Sequence, residues 1–335
     1  MTSAPEGSSA APRSIVALGG GHGLFATLRA ARLLSPDVTA VVTVADDGGS
    51  SGRLRAELDV IPPGDLRMAL AALAADDHTG TLWAEVFQHR FGGRGALAGH
   101  SVGNLVIAGL MEVLGDPIAA LDEAARLLGL TGRVLPMSPM PLTIEADVQG
   151  LEEDPRVTNV IRGQVAVATT PGKVRRVRLI PTDPPAVPAA IEAIERADLV
   201  ILGPGSWFSS VIPHVLVPDL LAALSETMAT KALILNLAPQ PGETAGFSAE
   251  RHLHVLSQHA ARFTVDDILV DSTTVTPGAE RGHLDRAAAL FGAGVRYVDV
   301  ARTGTHVHDE TKLAAALDAL QGRRARSRTE AVRWR

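Results

Sequence analysis

A short apolar strand that runs directly into a cluster of glycines most constrains how this chain can fold. Residues 15–26 read IVALGGGHGLFA, in which residues 21–26 fit the G-x-G-x-x-A dinucleotide pattern. Such a junction turns the backbone sharply and directs the positive end of the following helix at any ligand beside it. A purely structural turn is the alternative, but the flanking strand and helix favour a phosphate-containing ligand. The candidate binding residues are Gly19, Gly20, Gly21, His22 and Gly23.

The spacing of apolar segments predicts an α/β fold with a doubly wound, mostly parallel, Rossmann-like sheet. Residues 38–44 (VTAVVTV) form a continuous β-branched run, which is typical of a parallel strand buried on both faces. Together with the first strand and the helix between them, this run predicts a right-handed crossover. Further strands are predicted at 199–202, 232–237, 267–270 and 295–300, and helices at 24–34, 66–75, 103–114, 117–128, 249–259 and 311–321.

One Rossmann-like domain is predicted over residues 13–321. Within it, residues 133–182 alternate polar and apolar side chains between prolines and glycines, which predicts a small antiparallel β-rich insertion. Residues 1–12 lack the apolar core of a signal peptide and are predicted to form a disordered leader. Residues 322–335 form a basic C-terminal tail, which is more typical of a solvated chain end than of a binding arm.

Composition narrows the class of protein further. Hydrophobic residues make up 46% and charged residues 20% of the chain, as expected for a packed globular core. There is no cysteine, and charges or glycines interrupt every apolar stretch before it reaches membrane-spanning length. These features predict a cytoplasmic protein without membrane insertion. A net charge of −6 argues against a general nucleic-acid binder.

A polar loop is predicted at the carboxyl end of the second strand, where residues 45–53 read ADDGGSSGR. The first aspartate follows the glycine motif by about 20 positions, where an acidic residue commonly accepts the ribose hydroxyls of a nucleotide. Both aspartates could also hold Mg²⁺, and the serines, glycines and arginine suit a phosphate. A polar surface turn is the alternative. The candidate residues are Asp46, Asp47, Ser50, Ser51 and Arg53.

Two further turns in the first half of the chain contain candidate ligand contacts. Asp65, in PPGDLR, is interpreted either as the N-cap of the next helix or as a third acid at the ligand. The segment GHSVG matches the nucleophile elbow of serine hydrolases, but a glycine-rich loop precedes it in place of the required strand. Ser101 and Asn104 are therefore predicted to open a helix that faces a ligand.

The second half of the chain repeats the strand–glycine–helix junction in LVILGPGSW, with Gly203, Gly205 and Ser206 as candidates. Two such turns in one sheet predict that parts of a ligand are held from both sides of a crevice. The same position at a strand end makes Asn236 a candidate, and Glu243 and Thr244, in the loop that follows, are further candidates. The histidines do not form a predicted metal set, because His252 and His254 point to different helix faces. His306 and His308 are predicted to be polar surface residues.

At these motifs the chain resembles the gluconeogenesis factor family of bacteria (YvcK-like), within the wider superfamily of 2-phospho-L-lactate transferases (CofD-like). The likeness rests on segments spread from Ile15 to about Asp309. The motifs are GGGHGL, TVADDGGSSGRLR, PPGDLR, FQHRF, AGHSVGNL, LGPGSWFSSVIP and GETAGFSAERH. One departure is His22, which stands where many members would have threonine.

The resemblance implies a Rossmann-like fold, a cytoplasmic location, a link to cell shape during gluconeogenic growth, and binding of UDP-N-acetylglucosamine. It implies that Arg302 contacts the sugar nucleotide and that the glycine turn, the Asp-Gly-Ser segment and Asn104 contact the nucleotide or its phosphates. In the transferase branch the matching loops bind a nucleotide with a divalent metal. Protein partners in cell-wall synthesis and a homo-oligomer are both compatible with the resemblance.

Three functions remain open at this point. The first is a cytoplasmic UDP-sugar-binding regulator of cell shape and cell-wall precursor supply. The second is a transferase that moves a phospholactyl group from a nucleotide diphosphate to a deazaflavin, although 3% aromatic residues leave few rings to stack on such an acceptor. The third is an NAD-dependent oxidoreductase, suggested by G-x-G-x-x-A with Asp46 but not accompanied by a convincing acid–base histidine.

Overall fold

A seven-stranded sheet, parallel throughout, forms the centre of the protein. The structure is a computed structural model, and it describes residues 13–154, 156–240 and 242–320. The strands of this sheet are β1 (Ile15–Gly19), β2 (Val38–Val42), β3 (Arg133–Pro136), β7 (Leu199–Leu202), β8 (Thr230–Ile234), β9 (Asp267–Asp271) and β10 (Gly294–Val298). Its central strands are apolar and fully buried, as a sheet covered on both faces requires.

The order of the strands places a topological switch point at the middle of the sheet. That order is β10-β9-β8-β7-β1-β2-β3, so the chain leaves β1 toward one edge and later returns to β7 beside it. In parallel α/β sheets, ligands bind outside the carboxyl ends of the strands at such a point. The predicted α/β, doubly wound, mostly parallel fold is confirmed.

Helices cover both faces of the sheet and connect its strands. They are α1 (Gly21–Arg32), α2 (Gly49–Leu58), α3 (Pro63–Leu73), α4 (His78–Gln88), α5 (Val102–Leu114), α6 (Pro117–Leu127), α7 (Gln164–Thr169), α8 (Pro188–Arg196), α9 (Ile212–Val215), α10 (Pro218–Glu226), α11 (Ala249–His259) and α12 (Ala279–Leu290). A π-helical turn, Trp207–Val211, precedes α9, and residues 310–320 are helical.

A small antiparallel sheet, in the order β5-β4-β6, contains β4 (Thr143–Gln149), β5 (Thr158–Arg162) and β6 (Lys173–Ile180). The region predicted as the β-rich insertion began at residue 133, but β3 pairs in parallel with β2 and belongs to the main sheet. The antiparallel pairing begins only at Thr143. Four residues of β3 are too few for their alternation to reveal which sheet they join.

Several predicted strand ends were shifted by a few residues. The strand predicted over 38–44 ends at Val42, that over 232–237 is Thr230–Ile234, and that over 295–300 is Gly294–Val298. Beyond these ends Val44, Leu235, Leu237 and Val300 are still apolar and buried, so hydrophobicity alone does not mark the boundary. The predicted leader, residues 1–12, and tail, residues 322–335, lie outside the described residues, as does the predicted helix end at Gln321.

Within the described residues, no single helix is long and apolar enough to cross a membrane. One pair of helices, Trp207–Val215 and Pro218–Glu226, is long and apolar enough when taken together, but the two are bent by 73° relative to each other. The first of these two segments is almost wholly buried in the protein core.

Two glycines in the first turn are required by close backbone packing. A Cβ atom at Gly23 would lie 2.2 Å from the carbonyl oxygen of Pro204, in the turn after β7. A Cβ atom at Gly20 would lie 2.3 Å from a carboxylate oxygen of Asp65 and 2.7 Å from the Thr43 methyl group. The glycines therefore let the β1 turn contact both the β7 turn and the start of α3.

We expect Gly23→Ala to destabilise the protein by about 1–3 kcal/mol, because its methyl group must displace backbone at Pro204. Gly109→Ala is the matched control, since Gly109 lies in α5, where a methyl group would have no atom within 4 Å apart from the adjoining backbone of its own helix. Alanine also favours a helix over glycine by about 1 kcal/mol. Urea unfolding of both variants measures the difference. Equal stability of the two would contradict the packing argument.

Candidate functional site

The two glycine turns lie side by side at the carboxyl edge of the sheet. β1 and β7 pair directly, and the Thr27 hydroxyl in α1 donates a 3.1 Å hydrogen bond to the carbonyl oxygen of Gly203. Gly203 and Gly205 have positive φ angles, 77° and 151°. The structure thus brings together the two turns that the sequence placed about half the chain apart. The His22 side chain is exposed in the first turn of α1.

Asp65 reaches the first glycine turn from a neighbouring helix. Its prediction as an N-cap is wrong, because α3 begins at Pro63 with Pro62 as its N-cap. The Asp65 carboxylate instead accepts a hydrogen bond from the backbone amide of Gly21, at the start of α1. A carboxylate of the protein itself thus contacts the helix start where a phosphate was predicted.

Asp65 lies near a second acid, Asp46. Burial, followed by the negative charge of Asp46, raises the pKa of Asp65 to about 7. Burial also raises the pKa of Asp46, against the hydrogen bonds that it accepts from the Gly48 amide and the Ser51 hydroxyl. The two carboxyl groups therefore hold protons more strongly than exposed acids do.

The segment predicted as a polar loop is largely helical. α2 begins at Gly49, so Ser50 and Ser51 lie in its first turn, where both are buried. Gly and Ser have low helix propensity, which explains why the sequence favoured a loop here. Arg53 does not point back to this turn, because its Nη2 atom donates a 2.8 Å hydrogen bond to the carbonyl oxygen of Ala98.

Asp47 connects the main sheet to the small one. Its exposed carboxylate accepts a 2.9 Å hydrogen bond from the Val165 amide, in the first turn of α7. Among the described residues, no group of three or more His, Asp or Glu side chains could hold a metal ion. Binding of Mg²⁺ by Asp46 and Asp47 remains a prediction.

A buried chain of polar side chains connects α2, α3 and α5. The Ser50 hydroxyl lies 2.9 Å from Nδ1 of His100 and accepts a 3.0 Å hydrogen bond from the Asn104 amide. The Asn104 oxygen accepts a 2.9 Å bond from Nε of Arg67, whose Nη1 donates to Gln88. Burial is the largest of the effects that lower the pKa of Arg67 to about 10.

Arg67 and His100 are site residues that the sequence analysis did not single out. Both lie inside motifs that the chain shares with the family, PPGDLR and AGHSVGNL. An arginine in an otherwise apolar helix pattern, as at Arg67, indicates a buried charge and could have identified this residue. Arg90, in FQHRF, was also missed. Its charge lies close enough to lower the pKa of Arg67 further.

Ser101 is not arranged as a nucleophile. Its hydroxyl is completely buried and has no hydrogen-bond partner. The residue forms a single bridge with Arg90 and then opens α5 as its N-cap, without a side-chain cap bond. No strand precedes it, as the sequence indicated, and a nucleophile elbow requires one.

The second glycine turn is held by side chains of the protein. The Asn236 amide accepts from the Gly205 amide at 2.9 Å and donates to the Gly205 carbonyl at 2.8 Å. The buried Glu243 carboxylate accepts a 3.0 Å bond from the Phe208 amide and a 2.6 Å bond from the Ser209 hydroxyl. Asn236 and Glu243, which the sequence analysis named as candidate ligand contacts, therefore hold this turn in place.

Two other candidate ligand contacts, Ser206 and Thr244, lie in the same region. Ser206 is the N-cap of the π-helical turn and makes no side-chain cap bond. Thr244 is fully buried, and its hydroxyl accepts a 2.8 Å hydrogen bond from the Gln240 amide.

A cavity of about 790 Å³ lies at the carboxyl ends of β8, β9 and β10. Asn236 lines it, so it begins beside the second glycine turn. Arg302 also lines it, with an exposed side chain that has no carboxylate within 4 Å among the described residues. The other polar residues around it include Ser248, Ser272, Thr273, Thr274, Glu280, Asp299, Thr303, Thr305, His306 and Lys312.

Asp271 forms hydrogen bonds to two residues that line this cavity, Thr273 and Ala301. Four hydrogen bonds from Thr273, Val300 and Ala301 outweigh its burial and lower its pKa. His308, which was predicted to be at the surface, is instead buried, and its burial lowers its pKa to about 4. The exposure of His306 agrees with the prediction.

Known proteins resemble this chain over most of its length. A family model described as 2-phospho-L-lactate transferase CofD matches residues 15–302. A provisionally named gluconeogenesis factor from Mycobacterium tuberculosis is 69% identical over 309 residues, covering 92% of this chain and 90% of that protein. The gluconeogenesis factor of Bacillus subtilis is 39% identical over 267 residues, covering 80% and 81%.

A solved structure shows the same fold. The crystal structure of a UPF0052 family member from Bacillus halodurans has a TM-score of 0.82 and 34% sequence identity to this chain. The match covers 92% of this chain and 99% of that one.

The raised pKa of Asp65 predicts a specific dependence of stability on pH. Between about pH 4 and pH 7 the unfolded chain loses the Asp65 proton while the folded chain keeps it, so stability falls as pH rises through this range. The free energy of unfolding should change by up to about 1.4 kcal/mol per pH unit in this range, and Asp65→Asn should abolish this contribution. Urea unfolding at several pH values measures it, and parallel profiles for both proteins would contradict the assignment.

Proposed function

Because the chain belongs to the CofD family, with gluconeogenesis factors among its relatives, we propose that it is a cytoplasmic regulator that binds UDP-N-acetylglucosamine. In this proposal the bound sugar nucleotide reports on cell-wall precursor supply, and thereby on cell shape, during gluconeogenic growth. Its partners would be proteins of cell-wall synthesis.

The observation that carries the proposal is the Arg302 guanidinium on the 790 Å³ cavity. An arginine without a carboxylate partner suits a diphosphate, which it can bind through two parallel hydrogen bonds. The volume lies within the range of small-molecule sites. Serine and threonine hydroxyls on the same wall can bind the hydroxyls of ribose and of a sugar.

The placement of the cavity also supports a nucleotide. It lies at the carboxyl edge of the parallel sheet and adjoins the second glycine turn through Asn236. Phe247 and His252 pack against each other at the same wall, with ring centroids 5.4 Å apart, and offer an aromatic surface for a base.

Transfer of a phospholactyl group to a deazaflavin is the second candidate function. The description of the matching family model favours it, since that description names a 2-phospho-L-lactate transferase. An assay with a lactyl-phospho nucleotide and a deazaflavin, read by chromatography of the deazaflavin product, tests it. Product formation would replace the regulator proposal with an enzymatic one.

We expect Arg302→Ala to weaken UDP-N-acetylglucosamine binding by about tenfold or more, because charge-assisted hydrogen bonds to the diphosphate are lost. Arg262→Ala is the matched control, since Arg262 is exposed and does not line the cavity. Isothermal titration calorimetry measures both, with GDP and NAD as competing ligands and with and without Mg²⁺.

The competing ligands separate the three functions. Tight binding of the sugar nucleotide that depends on Arg302 supports the regulator. Binding of GDP alone would favour the transferase, and binding of NAD alone would favour an oxidoreductase. Unchanged affinity in Arg302→Ala would remove this residue from the site.

A further inference from the structure

A groove of about 500 Å³ lies between β6 of the small sheet and helix α11. The residues around this β6–α11 groove are Val174, Arg175, Ser248, Glu250, Arg251, His254, Val255 and Gln258. It shares only Ser248 with the Arg302 cavity, so the two neighbouring spaces present different side chains. The α11 residues that line it extend from the N-cap, Ser248, to Gln258, which is about 15 Å along a helix axis.

Two arginines line this groove without an acidic partner. Arg175 is exposed, and its Nε atom donates a 2.8 Å hydrogen bond to the neutral side chain of Gln149. The Arg251 guanidinium lies over the Phe247 ring, 4.6 Å from the ring centroid, and its Nε atom is buried without a hydrogen-bond partner. Among the described residues, no carboxylate lies within 4 Å of either guanidinium. Both positive charges are therefore available to a ligand.

The acidic residues near the groove pair with other side chains. Glu250 is the only acid among the described residues that line the groove, and its carboxylate lies 3.7 Å from Nδ1 of His283 on α12. In the small sheet, Glu145 and Asp147 both form ion pairs with Arg178 of β6. The groove therefore has a local excess of positive charge, although the chain as a whole has a net charge of −6.

A further cation extends this positive surface toward the end of α11. Arg176 is exposed and has no carboxylate within 4 Å in the part of the chain that the structure describes. It lies near His259, because its positive charge, after burial, contributes to the lowered pKa of that imidazole. Arg175, Arg176 and Arg251 therefore place positive charge along much of the length of the groove.

The edge of β6 beside the groove is partly closed to strand pairing. β6 is an edge strand of the small sheet, whose order is β5-β4-β6. Its Val177 amide donates a 3.0 Å hydrogen bond to Nε2 of His259, in the last turn of α11. A peptide that adds a strand to a sheet needs such amides to be free. A ligand of this groove is therefore recognised through charged side chains.

The shape and composition of the groove favour an acidic peptide over a nucleic acid. A length of about 15 Å accommodates about four residues of an extended chain. Of the described residues, no Phe, Tyr or Trp lines the groove, so it lacks the rings on which unpaired bases stack. The negative net charge of the chain also opposes a long polyanion.

We infer that the β6–α11 groove is a docking surface for an acidic segment of a partner protein. The segment is an extended peptide in which carboxylates of successive acidic residues contact Arg175 and Arg251. This surface is separate from the Arg302 cavity, and the inference does not depend on which ligand that cavity binds.

Titration of a fluorescein-labelled hexaglutamate peptide with the full chain, without nucleotide and at low ionic strength, tests this surface by fluorescence anisotropy. We expect saturable binding that weakens as salt is added and that a hexaglutamine peptide does not reproduce. Arg175→Glu should weaken it by about tenfold or more, because a like charge then faces the peptide. Arg94→Glu is the matched control, since Arg94 is also exposed, does not line the groove, and changes the net charge equally.

A second variant tests the half-buried arginine of the groove. Arg251→Gln should weaken hexaglutamate binding by about tenfold, because it removes a charge-assisted contact. Circular dichroism checks that this variant and both glutamate variants are folded. Arg302→Ala should leave the peptide affinity unchanged, so that failure of the sugar-nucleotide proposal and failure of this one are distinguishable.

Three outcomes would overturn the inference. The first is the absence of saturable hexaglutamate binding, and the second is equal affinity in Arg175→Glu and Arg94→Glu. The third is tighter binding of an oligothymidylate than of hexaglutamate through the same arginines, which would identify the surface as one for nucleic acid.

Discussion

The close approach of two backbone turns, at Gly23 and Pro204, is the constraint on which the rest of this structure depends. It sets β1 against β7 at the switch point and fixes where α1 and the π-helical turn begin. The 790 Å³ cavity opens at the strand ends on one side of it. The absence of a side chain at Gly23 therefore allows the geometry of this edge of the sheet.

Carboxylates of the protein occupy positions where the sequence suggested phosphates. Asp65 accepts from the start of α1, and Glu243 accepts from the segment after β7. Helix starts attract negative charge from any source, and a side chain fixed nearby has no translational entropy to lose. Arg302, which has no carboxylate within 4 Å among the described residues, is where we propose that an external diphosphate binds.

The sequence predicted the parallel fold because apolar β-branched runs and glycines at their ends specify strands and turns within about a dozen residues. It predicted the juxtaposition of the glycine turns because the carboxyl ends of parallel strands meet at one edge of the sheet. It could not predict which side chains from distant segments contact each other. The reach of Asp65 to Gly21, the burial of His308 and the chain from Ser50 to Arg67 all arise from tertiary packing.

The hydrogen bond from Val165 to Asp47 has a mechanical consequence. The same short peptide carries Asp46, which lies near Asp65, and Asp47, which accepts from the first turn of the helix between β5 and β6. A shift of this peptide would therefore be felt at the start of α7, inside the antiparallel subdomain. The bond acts together with those of Arg55 to Leu142 and Thr143 and of the Val177 amide to His259, so the subdomain is fastened to the main layer on several sides.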